Sequence, residues 1–533
     1  MDEAANSDQG LPEDQPLPDK TSYGYDKDDS ISDTDATECA AITQRKIFDG
    51  KPYTTRAGHL VTRDKYSAKP VAKIFYVAFT AKPNRDQESD PNRPVTFFYN
   101  GGPGSSSVFL LLGLFGPKRI DTTSFPNFAP PAPYKLVKNE DCLLDCTDLV
   151  FINPVGTAYS TAIAPKKNSD FWGVDEDAGS IKEFIKRYLT VFNRWNSPKF
   201  LFGESYGTPR TCVLTWLLHK EGVDLNGIVL QSSILDYSRG GDAVGLLPTL
   251  AADALFWHAG GRRISTAELE HFTDEVEKFA KGDYKKAKDM YPEGDADLLK
   301  HVLVQLSEYL RIPPDVLRSW KLDPATPDVT RFLTSLLADR GETVAAYDGR
   351  AKAKDIGIAA SPNIIKGNDP AMVAIGGVYT TMWNVYLKNE LQFTSTTPFM
   401  TQNNKVPRNW NFGHIDPTGA EKGDPTAAQR GGDDVNLYTA GDLAAAMELN
   451  PYLKVFSANG YYDAVTPFFQ TKLNFDDMPC SKKRRNEIKT VNYASGHMIY
   501  LDNDSRHEMK RERPEADGHP IGSFRYTRQS SLY

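Results

Sequence analysis

The sequence of 533 residues is poor in cysteine, has no long apolar run and has no cluster of basic residues. No apolar run approaches the roughly 18 residues of a membrane-spanning helix, so no membrane span is expected. The net charge of −8 and the scattered Lys and Arg residues exclude the footprint of a nucleic-acid-binding protein. The five cysteines form no CxxC pair, and only Cys142 and Cys146 have the spacing for a short-loop disulfide. The 40% of hydrophobic residues is ample for the core of a large globular protein.

The N-terminus, MDEAANSDQG, has neither the basic nor the apolar region of a signal peptide. A mature chain whose signal had been removed would begin in the same way. Residues 1–40 hold twelve acidic residues against two lysines, with few large aliphatic side chains. This composition predicts a disordered acidic tail over 1–45. A second tail is expected at 511–533.

Seven short apolar runs, bounded by Gly, Pro or Asn, are typical of buried strands. They lie at 73–80, 95–100, 148–154, 199–203, 227–233, 452–460 and 488–496. Helical patterns at 175–195 and 211–220 lie between some of them, and this alternation predicts an α/β layered fold with a mixed sheet. Residues 236–450 are richer in helical patterns and polar loops. We expect them to form a cap inserted between two core parts, 46–235 and 451–510.

The motif Gly-Glu-Ser-Tyr-Gly at 203–207 follows the strand at 199–203 and precedes the helix at 211–220. A strand, this motif and a helix are the context of a nucleophile elbow, which lifts Ser205 above the sheet edge. The helix N-terminus behind the serine favours negative charge. The alternative is a glycine turn with a bystander serine.

A nucleophilic serine needs a base and an orienting acid, which follow it in the chain order Ser, acid, His. His497 follows a strand-like run, where an α/β sheet builds its sites. His414, in a polar loop, is a competitor. Asp463 follows a strand and an Asn-Gly turn, whereas Asp476 and Asp477 lie nearer a solvated loop. The alternatives are a packed surface histidine and a turn-forming aspartate.

The glycine-rich loop NGGPGSSS at 100–107 directly follows the strand at 95–100. Glycine lets backbone N–H groups approach a substrate carbonyl closely, so this loop is a candidate for one half of an oxyanion hole. The N–H of Tyr206, next to the serine, would supply the other half. A phosphate-binding nest is the alternative, but the loop lacks the Lys of a P-loop and the GxGxxG spacing.

Five motifs in order, NGGPGSSS, PVGTAYS (154–160), GESYG, NGYYDAVTP and SGHMIY, resemble the serine carboxypeptidase family, peptidase family S10. The serine-containing glycine loop, in place of the Gly-Cys-Ser of plant and fungal enzymes, resembles the bacterial-type branch. The resemblance implies an α/β-hydrolase fold, with a central mixed, mostly parallel sheet and a large helical cap insertion. It also implies an exported protein, periplasmic or secreted.

The resemblance implies a catalytic triad of Ser205, Asp463 and His497, and oxyanion donors at Gly102 and Tyr206. It implies that Asn100 and Glu204 recognise the terminal carboxylate of a peptide or acyl-amide substrate, and that Met498 lines the leaving-group pocket. Only a protonated Glu204 can hydrogen-bond that carboxylate, which favours an acidic working pH. No metal or organic cofactor is implied.

The sequence departs from plant and fungal members at Leu114, which stands where they carry a second acid, and at Ala158, which replaces a glycine. The expected activity is a serine-type carboxypeptidase that works through an acyl-enzyme. The missing acid leaves room for an acyltransferase, or an amide or ester hydrolase, on the same scaffold. A non-catalytic binding protein is a remote alternative. The sequence leaves the oligomeric state open, with a homodimer as one candidate.

Overall fold

The structure is a computed structural model that describes residues 13–82, 90–122, 131–239, 241–325, 329–354, 369–419 and 437–512. The strands are β1 Leu17–Asp19, β2 Cys39–Phe48, β3 Lys51–Arg63, β4 Pro70–Ala81, β5 Val95–Tyr99, β6 Lys118–Ile120, β7 Leu136–Lys138, β8 Asp148–Ile152, β9 Thr161–Ala162, β10 Lys199–Glu204, β11 Gly227–Gln231, β12 Glu342–Val344, β13 Lys352–Lys354, β14 Phe393–Ser395, β15 Lys454–Gly460 and β16 Ile488–Tyr493.

The helices are α1 Val108–Leu110, α2 Val174–Val191, α3 Gly207–Lys220, α4 Ala243–His258, α5 Thr266–Phe279, α6 Lys285–Asp289, α7 Ala296–Leu310, α8 Pro314–Ser319, α9 Thr330–Ser335, α10 Pro370–Asn389, α11 Lys405–Arg408, α12 Ala440–Leu449, α13 Phe468–Asp476, α14 Lys482–Arg485 and α15 Asn503–Glu512. Wider helical turns extend α1 over Leu111–Phe115 and join α5 to α6 over Ala280–Tyr284. Short helical turns lie at Asp33–Asp35, Leu143–Asp145, Asn168–Phe171, Tyr237–Arg239, Ala338–Arg340 and Ile499–Leu501.

One large mixed sheet organises the part of the chain that the structure describes. Its order is β16-β15-β11-β10-β5-β8-β4-β3-β2, with β9 paired to β4. The strands from β16 to β8 run parallel to their neighbours, whereas β8, β4, β3 and β2 pair antiparallel. All seven predicted strands lie in this sheet. The predicted class, an α/β-hydrolase type of fold with a mixed, mostly parallel sheet, is therefore confirmed.

Both faces of the sheet are buried, which explains why the central strands are apolar without a break. Alternate residues point to opposite faces: Phe97 joins one apolar core and Phe98 the other. The first core receives α2, α3 and α12, and the second receives α10 and the end of α15. Packing from both sides fixes the carboxyl ends of the strands, where the predicted site residues lie.

The segment between β11 and β15 contains α4 to α12 within its described residues, and several of these helices form a third apolar core. Aromatic side chains that follow β15, such as Tyr461 and Phe468, complete this core and attach it to the sheet. The division into core parts and a cap stays a prediction, and parts of the predicted insertion lie outside the described residues.

The predicted tail over 1–45 is wrong from residue 13 onward, and residues 1–12 lie outside the described residues. Strand β2 begins at Cys39 and pairs with β3, and Gln15 pairs antiparallel with Ile42 on the edge of the sheet. Asp14 accepts a hydrogen bond from the Gln44 backbone N–H at 2.7 Å. The acidic residues of this segment cap polar groups, so its composition does not imply disorder. We call residues 13–36 the N-terminal strap.

The strap lies against residues 393–405. Its strand β1 pairs parallel with β14, and the Tyr25 hydroxyl lies 2.6 Å from the Ala158 carbonyl. The Asn403 side chain donates to the carbonyls of Tyr25 and Gly156, both at 2.9 Å. These contacts join three distant parts of the sequence and support a loop that reaches the candidate site.

All five cysteines are free thiols in the structure, so the proposed Cys142–Cys146 bridge is not formed. The Cys142 sulfur accepts from the Leu144 N–H, and the Cys146 thiol donates to the Leu143 carbonyl. Among the described residues, no helix combines the length and apolar character needed to cross a membrane. Of the predicted C-terminal tail, residues 511 and 512 end α15, and 513–533 lie outside the described residues.

Candidate active site

Ser205 lies in the tight turn between β10 and α3. Its φ of 59° is in the left-handed region, a conformation that a non-glycine residue adopts only when its surroundings hold it there. Its N–H donates to the Gln231 carbonyl at 2.9 Å. A side chain at Gly203 would overlap the Gly207 carbonyl, and one at Gly207 would lie 3.0 Å from the Tyr99 carbonyl. Close packing therefore requires glycine at 203 and leaves little room for a side chain at 207, as a nucleophile elbow predicts.

The glycine loop after β5 lies directly against this turn. A Cβ at Gly101 would overlap the backbone nitrogen of Tyr206, so the loop and the elbow are in backbone contact. Gly102 has a φ of 109°, which favours glycine, and a side chain there would crowd the Ser105 nitrogen. The two segments that carry the predicted oxyanion donors, Gly102 and Tyr206, therefore meet beside Ser205.

His497 and Asp463 form a buried pair at the ends of β16 and β15. The His497 Nδ1 lies 2.8 Å from the Asp463 Oδ2. The other carboxylate oxygen, Oδ1, accepts from the N–H groups of Val465 and Thr466 at 2.9 and 3.0 Å. The Thr466 hydroxyl donates to Oδ2 at 2.6 Å and lies 3.2 Å from Nδ1. Hydrogen bonds thus fix both oxygens of the Asp463 carboxylate, and the His497 imidazole faces it with Nδ1.

The backbone of His497 is also held. Its N–H donates to the Tyr347 carbonyl, and its carbonyl accepts from the Ser232 hydroxyl, both at 2.7 Å. The Tyr347 ring packs edge-on against the imidazole at 5.0 Å. Burial lowers the pKa of His497, but the charge and hydrogen bond of Asp463 outweigh it and raise the pKa above its usual value. This imidazole is therefore an effective proton acceptor.

Asn100 and Glu204 meet beside the serine. The Asn100 Nδ2 donates to the Glu204 Oε2 at 2.9 Å, and its Oδ1 accepts from the Leu110 N–H at 3.1 Å. The Tyr500 hydroxyl donates to the same carboxyl group, 3.1 Å from Oε2 and 3.3 Å from Oε1. Burial raises the pKa of Glu204 to about 7, with the charge of Asp463 adding to the rise. Glu204 is therefore poised to carry a proton at mildly acidic pH.

The predicted residues line one cleft. Ser205, His497, Asn100, Glu204, Gly102 and Met498 all face it, as do Tyr347, Met372, Gln402 and Asn404 from the segment between β11 and β15. Asp463 lies behind His497, and Tyr206 lies behind Gly101. The structure thus brings together the residues proposed for the triad, the oxyanion hole and the carboxylate and leaving-group pockets, and their roles stay a prediction.

Arg210 holds the two halves of the site together, and the sequence analysis missed it. Its Nη1 donates to the Asn100 carbonyl at 2.8 Å, and its Nε pairs with the Asp177 carboxylate. The guanidinium also lies over the rings of Tyr99 and Tyr206, 5.3 Å from each centroid. All of these groups are buried. An arginine one turn after an elbow serine, with an aspartate in the preceding helix, is the signal that could have found this pair.

His414, the competing histidine, is remote from the cleft. Its ring is buried between two carboxylates, with Nδ1 2.7 Å from Asp175 and Nε2 2.8 Å from Asp442. It links α2 to α12 and leaves no nitrogen for a serine. The competing acids Asp476 and Asp477 are both exposed, and Asp477 pairs with Arg239. Geometry therefore favours His497 and Asp463.

Part of the chain is similar to a known family of proteins. Residues 48–242 match the model of the serine carboxypeptidase family. The chain is 28% identical over 161 residues to the pheromone-processing carboxypeptidase KEX1 of Saccharomyces cerevisiae. The matched stretch covers 28% of this chain and 20% of that protein. It is 26% identical over 176 residues to the vitellogenic carboxypeptidase of Aedes aegypti, covering 32% and 34%.

The part of the chain that carries Ser205 is therefore similar to the serine carboxypeptidase family. The chain matches only about a fifth of the length of the yeast relatives, and these relatives give no support to a bacterial-type branch. Among solved structures, it is similar to the crystal structure of a KEX1 prohormone-processing carboxypeptidase from Saccharomyces cerevisiae. The two are 15% identical with a TM-score of 0.48, over 86% of this chain and 89% of that one.

Proposed function

We propose that this protein is a serine-type carboxypeptidase that removes the C-terminal residue of peptides through an acyl-enzyme. The observation that carries the proposal is the hydrogen-bonded pair Asn100–Glu204, which lies in the same cleft as Ser205 and His497. An amide donor beside a protonated carboxyl offers two hydrogen bonds to a carboxylate. A serine hydrolase with such a pair next to its nucleophile can select substrates by their free C-terminus.

The first half of the reaction forms the acyl-enzyme. The Ser205 Oγ attacks the carbonyl carbon of the last peptide bond while the His497 Nε2 takes the hydroxyl proton. Asp463 holds the imidazole by Nδ1 and stabilises the imidazolium that forms. The backbone N–H groups of Gly102 and Tyr206 would receive the oxyanion, and each such donor is worth roughly 3–4 kcal/mol of transition-state stabilisation. His497 then returns the proton to the leaving amine as the C–N bond breaks.

The second half of the reaction hydrolyses the acyl-enzyme and restores the free enzyme. Water attacks the acyl carbon, His497 takes its proton, and the Ser205 ester bond breaks with the proton returned to Oγ. The released amino acid leaves from the Asn100–Glu204 pair. Met498, which lines the cleft, would contact the side chain of that residue.

The test compares N-blocked peptides with free and with amidated C-termini between pH 4 and 8, with products identified by mass spectrometry. We expect release of one terminal residue from the free-acid peptides only. Equal cleavage of both peptides would remove the case for the Asn100–Glu204 pair. Ser205→Ala should abolish turnover while leaving the thermal unfolding transition in place, and near-normal activity of that variant would overturn the nucleophile.

An acyltransferase is the second candidate, because the position of the second acid is filled by Leu114, whose side chain is fully buried in the apolar core. The acyl-enzyme would be the same, but an amine or alcohol would take the acyl group in place of water. The masses of products formed with and without an added acceptor distinguish the two reactions.

The branch and the location are further proposals. Ser105 to Ser107 in the glycine loop and the five free thiols support the bacterial-type branch. Export to the periplasm or outside the cell is implied by the resemblance alone, and detection of the protein in cell fractions tests it.

A further inference from the structure

The hydroxyl of Tyr500 is the third partner of the Asn100–Glu204 pair. It lies 3.1 and 3.3 Å from the two oxygens of Glu204, and its ring is fully buried. Tyr500 belongs to the short helical turn Ile499–Leu501, two residues after Met498, so one loop delivers both the base His497 and this hydroxyl. The Arg506 Nη1 donates to the Tyr500 carbonyl at 3.1 Å and anchors the turn.

Space for this hydroxyl comes from Gly113. A Cβ on Gly113 would lie 2.5 Å from two ring carbons of Tyr500, and it would also overlap the hydroxyl of Tyr379. The neighbouring Leu114 points into the apolar core, and its carbonyl accepts from the Asn139 side chain at 2.7 Å. The stretch that the resemblance aligns with a second acid thus holds a buried leucine and a glycine whose missing side chain leaves room for two tyrosines.

A phenol differs from a carboxylic acid as a partner for Glu204. It donates one hydrogen bond, and burial raises its pKa well above the usual value, so it keeps its proton throughout the working range. Two neighbouring carboxyls would share a proton and repel each other once ionised. With a tyrosine as partner, Glu204 is the single titrating group of the pair.

We propose that Tyr500 is the positioning residue that replaces the second acid: it fixes the Glu204 carboxyl beside Asn100 and sets the pH at which this carboxyl binds a substrate's terminal carboxylate. The proposal rests on the proposed function for its substrate, but its claim about Glu204 is testable without turnover.

The hydroxyl donates to the ionised form of Glu204, so removing it raises the pKa of Glu204 and extends the protonated form to higher pH. The other groups that act on Glu204 are unchanged by this substitution. They are His497 and Asp463, which bear charge, and Asn100. Tyr347 and Tyr379 lie nearby, where burial and the charge of Glu204 raise the pKa of each phenol, so both stay neutral.

The experiment compares Tyr500→Phe with a matched control, Tyr379→Phe. Both tyrosines are buried beside Gly113, but among the described residues the Tyr379 hydroxyl has no hydrogen-bond partner. The value of kcat/KM is measured against pH for an N-blocked free-acid peptide and for an ester that has no terminal carboxylate.

For the free-acid peptide, activity should fall as Glu204 ionises. In Tyr500→Phe this fall of kcat/KM on the alkaline side of the profile, the alkaline limb, should move to higher pH by roughly one unit. At acidic pH the same variant should raise KM about threefold to tenfold, with kcat little changed, because one orienting hydrogen bond is lost. The ester profile and both profiles of Tyr379→Phe should match the parent. A Tyr500→Phe enzyme that behaves like Tyr379→Phe, or that changes with both substrates equally, overturns the proposal.

A difluorotyrosine at position 500 should shift the alkaline limb in the direction opposite to that in Tyr500→Phe. It keeps the ring and strengthens the donor, so the limb should move to lower pH. A movement in the same direction as in Tyr500→Phe would count against a hydrogen bond to Glu204.

Infrared titration separates this inference from the proposed function. The band of a protonated, buried carboxyl that disappears in Glu204→Gln reports the ionisation of Glu204 directly. Its midpoint should rise in Tyr500→Phe even if the enzyme shows no preference for free-acid peptides, in which case only the proposed function fails. A titration midpoint of Glu204 that is unchanged in Tyr500→Phe would contradict the role proposed for Tyr500, whatever the substrate of the enzyme.

Discussion

The Thr466 hydroxyl donates to the same Asp463 oxygen, Oδ2, that lies 2.8 Å from His497 Nδ1. The turn that carries Asp463 therefore orients its carboxylate independently of His497, which follows a different strand. Such an arrangement limits the imidazole to one tautomer, with Nδ1 protonated and Nε2 available toward Ser205.

Asp463→Asn should lower kcat roughly 10⁴-fold, because an amide can present its NH₂ to Nδ1 and stabilise the wrong tautomer. Thr466→Val should have a smaller effect, about tenfold, since the two backbone N–H groups still hold Asp463. Steady-state assays at the optimum pH measure both. Asp477→Asn is the control: it alters an exposed acid paired with Arg239 and should leave kcat unchanged. Equal losses in the Asp463 and Asp477 variants would contradict this assignment.

Arg210→Met should destabilise the protein by about 3–5 kcal/mol, because it leaves the Asp177 carboxylate buried without its partner. Urea unfolding measures this change. Adding Asp177→Leu should recover much of the lost stability, since the unpaired carboxylate that Arg210→Met leaves behind is then removed. The double variant still lacks the hydrogen bond to the Asn100 carbonyl, so its kcat/KM should stay below that of the parent. Full recovery of both properties would mean that Arg210 only balances a charge.

His414 should make stability depend on pH above neutrality. Burial lowers its pKa, but hydrogen bonds to Asp175 and Asp442 outweigh this and raise the pKa to about 10. A histidine whose pKa is raised in the folded state stabilises it fully below the unfolded pKa, near 6.5, and loses this contribution as pH rises toward 10. His414→Gln should be less stable at pH 6 by at least about 1 kcal/mol, with the difference shrinking by pH 10. A constant difference across this range would argue against a charged His414.

Asp253 differs from His414 in having no compensating partner, because both of its carboxyl oxygens lack a hydrogen bond among the described residues. Burial raises the pKa of this group well above its usual value, helped by the charges of Asp348 and Asp463. Its contribution is favourable below the unfolded pKa of about 3.9 and is lost as pH rises toward the folded value. Asp253→Asn should therefore stabilise the protein at pH 8 by about 1–3 kcal/mol and change little at pH 4. Chemical unfolding at both pH values checks this, and a loss of stability at pH 8 would contradict it.

The candidate site could be predicted from sequence because its parts lie at the ends of apolar strands. The elbow at Ser205, the turn at Asp463 and the loop at His497 each follow a buried run, and parallel strands bring such ends to one edge of a sheet. The strands could also be predicted, because strands that are buried on both faces appear in the sequence as continuous apolar runs without alternating polar residues.

The features that sequence did not reveal are contacts between distant segments. Tyr500 meets Glu204 across 296 residues, and Asn403 meets Tyr25 across 378. Acidic composition predicted disorder for the strap, but its carboxylates cap backbone groups and pair with lysines, as Asp26 does with Lys405. Net charge measures the tendency of a segment to stay unfolded by itself, and says nothing of partners that lie elsewhere in the chain.

The N-terminal strap has a consequence for the order of events during synthesis. The strap is made before the residues that it pairs with, 393–405, and Tyr25 and Asn403 are 378 residues apart in the chain. Contacts of such long sequence separation form late, because the chain must first lose the entropy of the intervening loop. Since Asn403 lies between two residues that line the cleft, Gln402 and Asn404, the wall of the cleft gains its outer support only when the N-terminal strap pairs with it.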